Sequence, residues 1–205
     1  MACPVMGEPD DAPSAVGDDR VARALAGATT TQIGALGEET AAVLLEEVWD
    51  GIVVTMGDAR MPREGATQDL DLLGFIDGEL IAFEVKTRYR SNRAGRLTRT
   101  GNLLRPRLNR ARSLEAGRQG SQSYVSQRVD ASVDTGEGYG GIDVRVIAVD
   151  FVAMLAQQFA VDDAGTRLTP LEEPVGCAHA AAAALQRIVE HQLAPDVAIA
   201  EDSGA

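Results

Sequence analysis

The sequence predicts an α/β fold, and three stretches carry that prediction. Residues 29–50, TTTQIGALGEETAAVLLEEVWD, repeat their apolar side chains with a helical period. The runs DLDLLGFI and ELIAFEVKTR are β-prone and are joined by Asp77-Gly78, a pair that favours the positive φ angles of a tight hairpin turn. Near the end, the Ala-rich CAHAAAAALQRIVEHQL reads as a second long helix. A chain of 205 residues suits one domain with extensions.

Taken in order, residues 1–28 are rich in Ala, Gly, Pro and Asp, show no clear period before VARALA, and are expected to form a disordered acidic tail. The threonines at 29–31 offer side-chain oxygens to cap the first helix. On its wheel Ala41, Ala42, Leu45 and Trp49 share a face, with Leu44 and Val48 beside it, whereas Glu39, Glu46 and Glu47 point away. Glu38 falls on the apolar line of Ala42, Leu45 and Trp49. A carboxylate there costs free energy unless it is partnered or close to water. GIVVTM is a short β-branched strand, and a polar loop then leads into the hairpin. LLRPRLNRARSLEA is read as a helix entering after Pro106. The Gly, Ser and Gln content of residues 118–141 suggests a flexible insertion. GIDVRVIAV gives a further strand, with a helix or strand beyond it, and the last ten residues are expected to fray. The expected boundaries are a domain over residues 29–150 and a helical C-terminal extension over 151–205.

Composition narrows the function classes. No run approaches the roughly 18 apolar residues that a membrane span needs. The first residues carry no basic region followed by an apolar stretch, so no secretory signal is expected and the cytoplasm is the expected compartment. Cys3 and Cys177 make no disulfide framework and are read as unpaired thiols. The net charge of -12 opposes a polyanionic partner, but it is unevenly distributed. Twelve basic residues and only one acid, Glu115, lie between Val85 and Arg128, while the remainder holds seven basic and thirty acidic residues. Phosphate attraction is local, screened within roughly 10 Å at moderate salt, so this segment would draw a polyanion whatever the total charge. Eighteen of the basic residues are Arg, and the single Lys is Lys86, inside FEVKTR.

The hairpin brings chemistry with it. A two-residue Asp77-Gly78 turn makes paired positions sum to 155, which sets Asp71 opposite Glu84 and Asp69 opposite Lys86. Cross-strand partners have β-carbons about 5 Å apart, and like charges directly opposite are destabilising. A divalent cation would resolve the conflict, because hard ions such as Mg²⁺ take a few carboxylate oxygens and keep waters for a phosphate. Lys86, two residues past Glu84, points to the same side and could orient or deprotonate a metal-bound water. The plain alternative is a solvent-facing strand with a surface ion pair, worth under about 1 kcal/mol.

QDLDLLGFIDGELIAFEVKTR resembles the central signature of the YraN family in the PD-(D/E)XK nuclease superfamily. Two other segments fall in the same order: IGALGEETAA, similar to that family's opening helix with a Gly-Glu pair at Gly37 and Glu38, and GIDVRVIAV, similar to its later strand with Asp143 and Val144. The resemblance covers roughly residues 31–150. It implies a restriction endonuclease-like α-β-β-β-α-β core with a mixed central sheet. It also implies that Asp71 and Glu84 ligate Mg²⁺ or Mn²⁺, that Lys86 is the catalytic lysine, and that Glu38 joins or supports the metal site. Asp69 matches an acidic position usually held by Glu, and is a weaker candidate.

The expected function is therefore metal-dependent hydrolysis of DNA phosphodiester bonds, with branched or otherwise structured DNA as one substrate class. The alternative is a non-enzymatic nucleic-acid-binding or partner-binding module that retains the fold. RNA in place of DNA stays open on charge alone. Arg88, Arg90, Arg105, Arg107 and Arg110 are the expected phosphate contacts, and Thr87 is a further candidate. No aromatic ladder accompanies them, which argues against single-strand base stacking. His179 and His191 are twelve apart, about 120° around a helix, so they read as surface histidines and not as a chelating pair. A homodimer is a natural partner for double-strand cutting, with the Ala-rich helix either joining two copies or covering the sheet.

Overall fold

Seven strands and four helices make up the described part of the chain, residues 15–56, 70–89, 106, 108, 118–126 and 142–193 of a computed structural model. In chain order they are α1 (Ala15–Ala26), α2 (Thr30–Glu47), β1 (Ile52–Met56), β2 (Leu72–Ile76), β3 (Glu79–Arg88), a helical stretch α3 at residues 122–126, β4 (Asp143–Asp150), β5 (Leu155–Val161), β6 (Leu168–Pro170), β7 (Val175–Gly176) and α4 (Ala178–Leu193). The protein is mixed α/β. The sheet runs β1-β2-β3-β4-β5-β6, with β7 also paired to β5. Among the described strands only β3 and β4 run parallel, which requires the long crossover between them.

The hairpin forms as the turn chemistry dictates. Asp77 and Gly78 have φ of 52° and 80°, both in the left-handed region that a type I′ turn needs. The observed pairs, Leu72 with Phe83 through Ile76 with Glu79, all sum to 155. β3 is buried continuously from Ile81 to Val85, as befits a central strand covered on both faces. Thr29 caps α2 through a capping box with Gln32, so the threonines act as their hydroxyls suggested.

One face of the sheet carries Leu72, Ile81, Phe83, Val85, Ile147 and Val149, packed under α2 and α4 with α1 alongside. Three expectations change here. The expected disordered tail over residues 1–28 contains α1, because Val21 and Leu25, four apart and at most 1% exposed, dock on the helical layer. Glu39 does not point to solvent. It is buried at 4% exposure, with the Arg187 guanidinium of α4 3.8 Å away, and the same arginine bonds Glu46 at 3.0 Å. The wheel identified one apolar face of α2, but α4 covers a second. Ala180, Ala181 and Ala184 are buried in this core, so the small-residue face of α4 is occupied within the chain.

The opposite face is closed by Tyr124 and Val125 of α3, with Leu70, Leu73, Ala82, Ile142 and Val144, and by Leu108 over Val146, Ala148 and Phe159. The expected flexible insertion over 118–141 is therefore ordered at its start, since Tyr124 and Val125 are fully buried. Residues 127–141 lie outside the described residues, as do the expected fraying end and most of the expected helix over 103–116. Of that helix, Pro106 and Leu108 are described and belong to no regular element. The described part of the expected helical extension, residues 151–193, is not helical throughout. It supplies β5, β6 and β7 to the sheet before α4 begins. No helix among the described residues is long and apolar enough to cross a membrane.

Candidate active site

The strand pairing that ends at Leu72 and Phe83 delivers Asp71 to the next step of the ladder. There its side chain takes over from the backbone: Asp71 Oδ2 accepts a hydrogen bond from the Val85 N–H at 2.7 Å. Glu84 lies on the same face and is only 1% exposed. Lys86, two residues along β3, returns its ammonium to both acids, donating to Glu84 Oε2 at 2.9 Å and standing 3.7 Å from Asp71 Oδ2. The three residues named from the hairpin register are thus brought together, and Lys86 keeps part of its side chain in solvent.

Their titration reflects crowding. Burial pushes the Glu84 carboxyl up to about 7, the Asp71 charge adds to that rise, and the Lys86 ammonium opposes it. Burial likewise raises Asp71, against the pull of Lys86 and of the Val85 N–H. Burial alone would lower Lys86, but the Glu84 and Asp71 carboxylates outweigh it and hold the ammonium above its ordinary value. Glu84 Oε1 remains buried with no hydrogen-bond partner among the described residues. Such an atom costs about 1–3 kcal/mol, more when charged, so this carboxylate has capacity for a further positive ligand.

Glu38 reaches the same electrostatic neighbourhood from α2. Burial, then Asp71 and Glu84, push its carboxyl up to about 8, while Lys86 pulls it down. α2 can come this close to β3 because of Gly37: a Cβ there would stand 2.4 Å from Thr87 Cγ2 and 2.9 Å from Thr87 Oγ1. Fully ionised, a state the raised Glu38 carboxyl reaches only above about pH 8, three carboxylates and one ammonium would sum to −2. A divalent cation would cancel that charge, and the all-oxygen donor set suits Mg²⁺ or Mn²⁺. In the geometry as it stands, Lys86 supplies the neutralising charge, and no group of three or more His, Cys, Asp or Glu among the described residues is placed so that it could hold a metal ion.

The raised acids make stability pH-dependent with a definite sign. A Glu38 carboxyl that holds its proton to about 8 in the folded chain, against an ordinary 4.5, contributes stability below 4.5 that is lost as the pH rises through about 8. In chelator, Glu38→Gln is expected to match the wild type near pH 5 and to melt several degrees higher near pH 9. Parallel melting profiles across that range would show that Glu38 is not the group responsible.

The remaining predicted contacts divide. Arg88 is on the site's face of β3 but is paired to Asp150 at 3.4 Å, its register partner on β4, rather than free for phosphate. Asp150 is 3% exposed and also accepts from the Val152 and Ala153 N–H groups, so it fixes the chain reversal into β5. Sequence reasoning missed this residue, because nothing local distinguishes the Asp of AVDF from a solvated one. Thr87 faces Gly37 and not the site. Asp69, Arg90, Arg105, Arg107 and Arg110 lie outside the described residues. His179 is exposed on α4, 3.8 Å from Glu47, and His191 is exposed with its ring on the Arg187 carbonyl. Comparisons with family models, curated proteins and solved structures find no match for this chain, so the site's own chemistry is the ground for a functional reading.

Proposed function

We propose that the chain is a nuclease that hydrolyses DNA phosphodiester bonds with Mg²⁺ or Mn²⁺, on a restriction endonuclease-like core of the PD-(D/E)XK type resembling the YraN family. The observation that carries this reading is the buried Oε1 of Glu84, unpartnered among the described residues, beside Asp71, with the Lys86 ammonium against both acids. A strand shaped only for stability gains nothing by facing a buried carboxylate with a half-buried one. The order α2-β1-β2-β3, crossover, β4 supports the fold assignment.

In this reading Asp71 and Glu84 hold the ion through their free carboxylate oxygens, with Glu38 supporting them from α2. When bound, the ion supplies a Lewis acid for the scissile phosphate and lowers the pKa of the attacking water. Lys86 stands against both acids, where its ammonium is placed to orient the attacking water and steady charge on the phosphate oxygens. The second reading, a binding module that retains the fold, is favoured by one observation: Lys86 already neutralises Glu84 in a 2.9 Å pair, which can stand as a purely structural contact.

The test is to incubate the purified protein with duplex, single-stranded, flapped and branched DNA, and with RNA, in Mn²⁺ or Mg²⁺, beside Asp71→Ala. Cleavage is expected only with metal, and Asp71→Ala is expected to lose about 100-fold or more, in line with loss of a group that stabilises transition-state charge. The cation should also raise the wild-type melting temperature but not that of Asp71→Ala. Equal cutting by both proteins would trace the activity to a contaminant, and binding without any cutting would hand the lead to the binding module.

A further inference from the structure

The site's face of the sheet continues into a groove that the candidate acids do not use. Glu84 pairs laterally with Val146 on β4, and Val146 pairs with Phe159 on β5. Lateral partners share a face, so Phe159 lies two strand spacings from Glu84, on the order of 10 Å. Over Phe159 opens a groove of about 710 Å³, walled by Leu108 and Pro170 and rimmed by Arg118, Thr166 and Arg167. A volume of this size falls within the ~300–1,000 Å³ of ordinary small-ligand sites. None of the described residues that line it is acidic, in a chain whose net charge is -12.

The two arginines come from different segments that are fastened to each other. Gln122 N donates to the Asp163 carbonyl at 3.3 Å, and Ser121 N and Oγ both bond the Arg118 carbonyl. Gly165, at φ of 66°, brings its backbone against Arg118: a Cβ there would meet Arg118 Cβ at 3.2 Å and the Gln119 carbonyl at 2.9 Å. The one acid that organises this turn, Asp162, has its oxygens taken up by the Thr166 N–H and hydroxyl and by the Arg167 N–H. Arg118 and Arg167 are therefore mounted on a braced frame, above an apolar floor, with no carboxylate among the described lining residues; Asp162 attracts Arg167 from outside the lining.

We propose that this groove seats a nucleotide of the substrate strand a few positions from the scissile phosphate, with Arg118 and Arg167 on its phosphate and the Phe159, Leu108 and Pro170 surface under its sugar and base. The inference rests on the nuclease reading for its orientation, while the groove's own chemistry selects the ligand class. An anion with an apolar body meets both halves of the lining, and at about 3.4 Å of axial rise per nucleotide a strand held at Glu84 reaches it. Arg118 and Arg167 then belong to substrate positioning and not to the chemical step.

The experiment is fluorescence anisotropy of a labelled oligonucleotide in chelator, where cutting is absent, at a series of salt concentrations. Arg118→Ala and Arg167→Ala are each expected to weaken binding by about 5- to 10-fold and to lower the salt slope by about one, as loss of one phosphate contact does. Arg167→Glu should weaken it further, and because Arg167 is exposed this variant is expected to fold, with its melting temperature as the check. Arg20→Ala, exposed on α1 in the helical layer, should bind like the wild type. Binding by the double alanine variant within twofold of wild type would overturn the proposal, as would displacement by inorganic phosphate at equal phosphate concentration. If wild type cuts DNA while the arginine variants bind normally, only the groove assignment falls. If wild type never cuts but binding depends on both arginines, the nuclease reading falls and the groove's ligand stands.

Discussion

Lys86→Ala is expected to lose both stability and function, and the two losses are expected to part company on further substitution. Removing one partner of a buried pair leaves an uncompensated charge, a loss that runs at about 3–5 kcal/mol. Lys86 is 23% exposed, so the lower end, about 3 kcal/mol, is the expectation at pH 8. At this chain length that corresponds to roughly 6–12 °C of melting temperature. The deficit has a pH signature. Without the ammonium, Glu84 and Asp71 rise further above their ordinary values, so the folded chain binds more protons than the unfolded one. Stability is then lost as the pH climbs through those raised values, and the deficit should shrink towards pH 5.

Glu84→Gln combined with Lys86→Met separates packing from chemistry. Neutral side chains of similar volume often replace a buried ion pair at little cost. The double variant should therefore recover most of the melting temperature lost by Lys86→Ala. Cleavage should recover not at all, and should stay about 1,000-fold below wild type. If the pair served only the fold, the double variant would restore whatever the single variant lost.

How much could be read beforehand follows from where each constraint lives. The hairpin is dictated by two residues, since Asp77-Gly78 fixes the turn type and the turn fixes every pairing up to the Asp71 carboxylate's bond to the Val85 N–H. Glu38 was legible because a lone acid on an apolar stripe has to answer to something. Arg88 and Asp150 were not, because they meet through parallel pairing of strands 62 residues apart in sequence, and no local pattern sets that register. β5 was ambiguous for a different reason. Gln157 and Gln158 interrupt its apolar pattern, yet both are buried, with Gln157 donating to the Glu172 carbonyl and Gln158 accepting from Arg145. Polar side chains satisfied by distant partners look like surface when read alone.

Gly37→Leu is the second large effect, and it tests how α2 carries Glu38 to the hairpin. Replacing a mid-helix glycine usually gains up to about 1 kcal/mol from helix propensity. Here the new Cβ alone would stand 2.4 Å from Thr87 Cγ2 and 3.2 Å from Thr87 Cβ, and a leucine adds three more carbons. Overpacking costs about 1–3 kcal/mol, and Thr87 is β-branched with few rotamers to escape into, so the clash outweighs the propensity gain. With the clash at the upper end of that range, a net loss of about 1–2 kcal/mol is expected, or roughly 2–8 °C. As α2 lifts from β3, the Glu38 carboxyl leaves the field of Asp71 and Glu84, so the alkaline loss of stability traced to Glu38 should fade with it. The milder Gly37→Ala, paired with Thr87→Ala, removes the 2.4 and 2.9 Å contacts and leaves a Cβ–Cβ approach of 3.2 Å that a small shift relieves. Its cost should be about 1–2 kcal/mol less than the sum of the two single costs, as for residues in direct contact. Strict additivity would mean that Gly37 is not what lets the helix approach the strand.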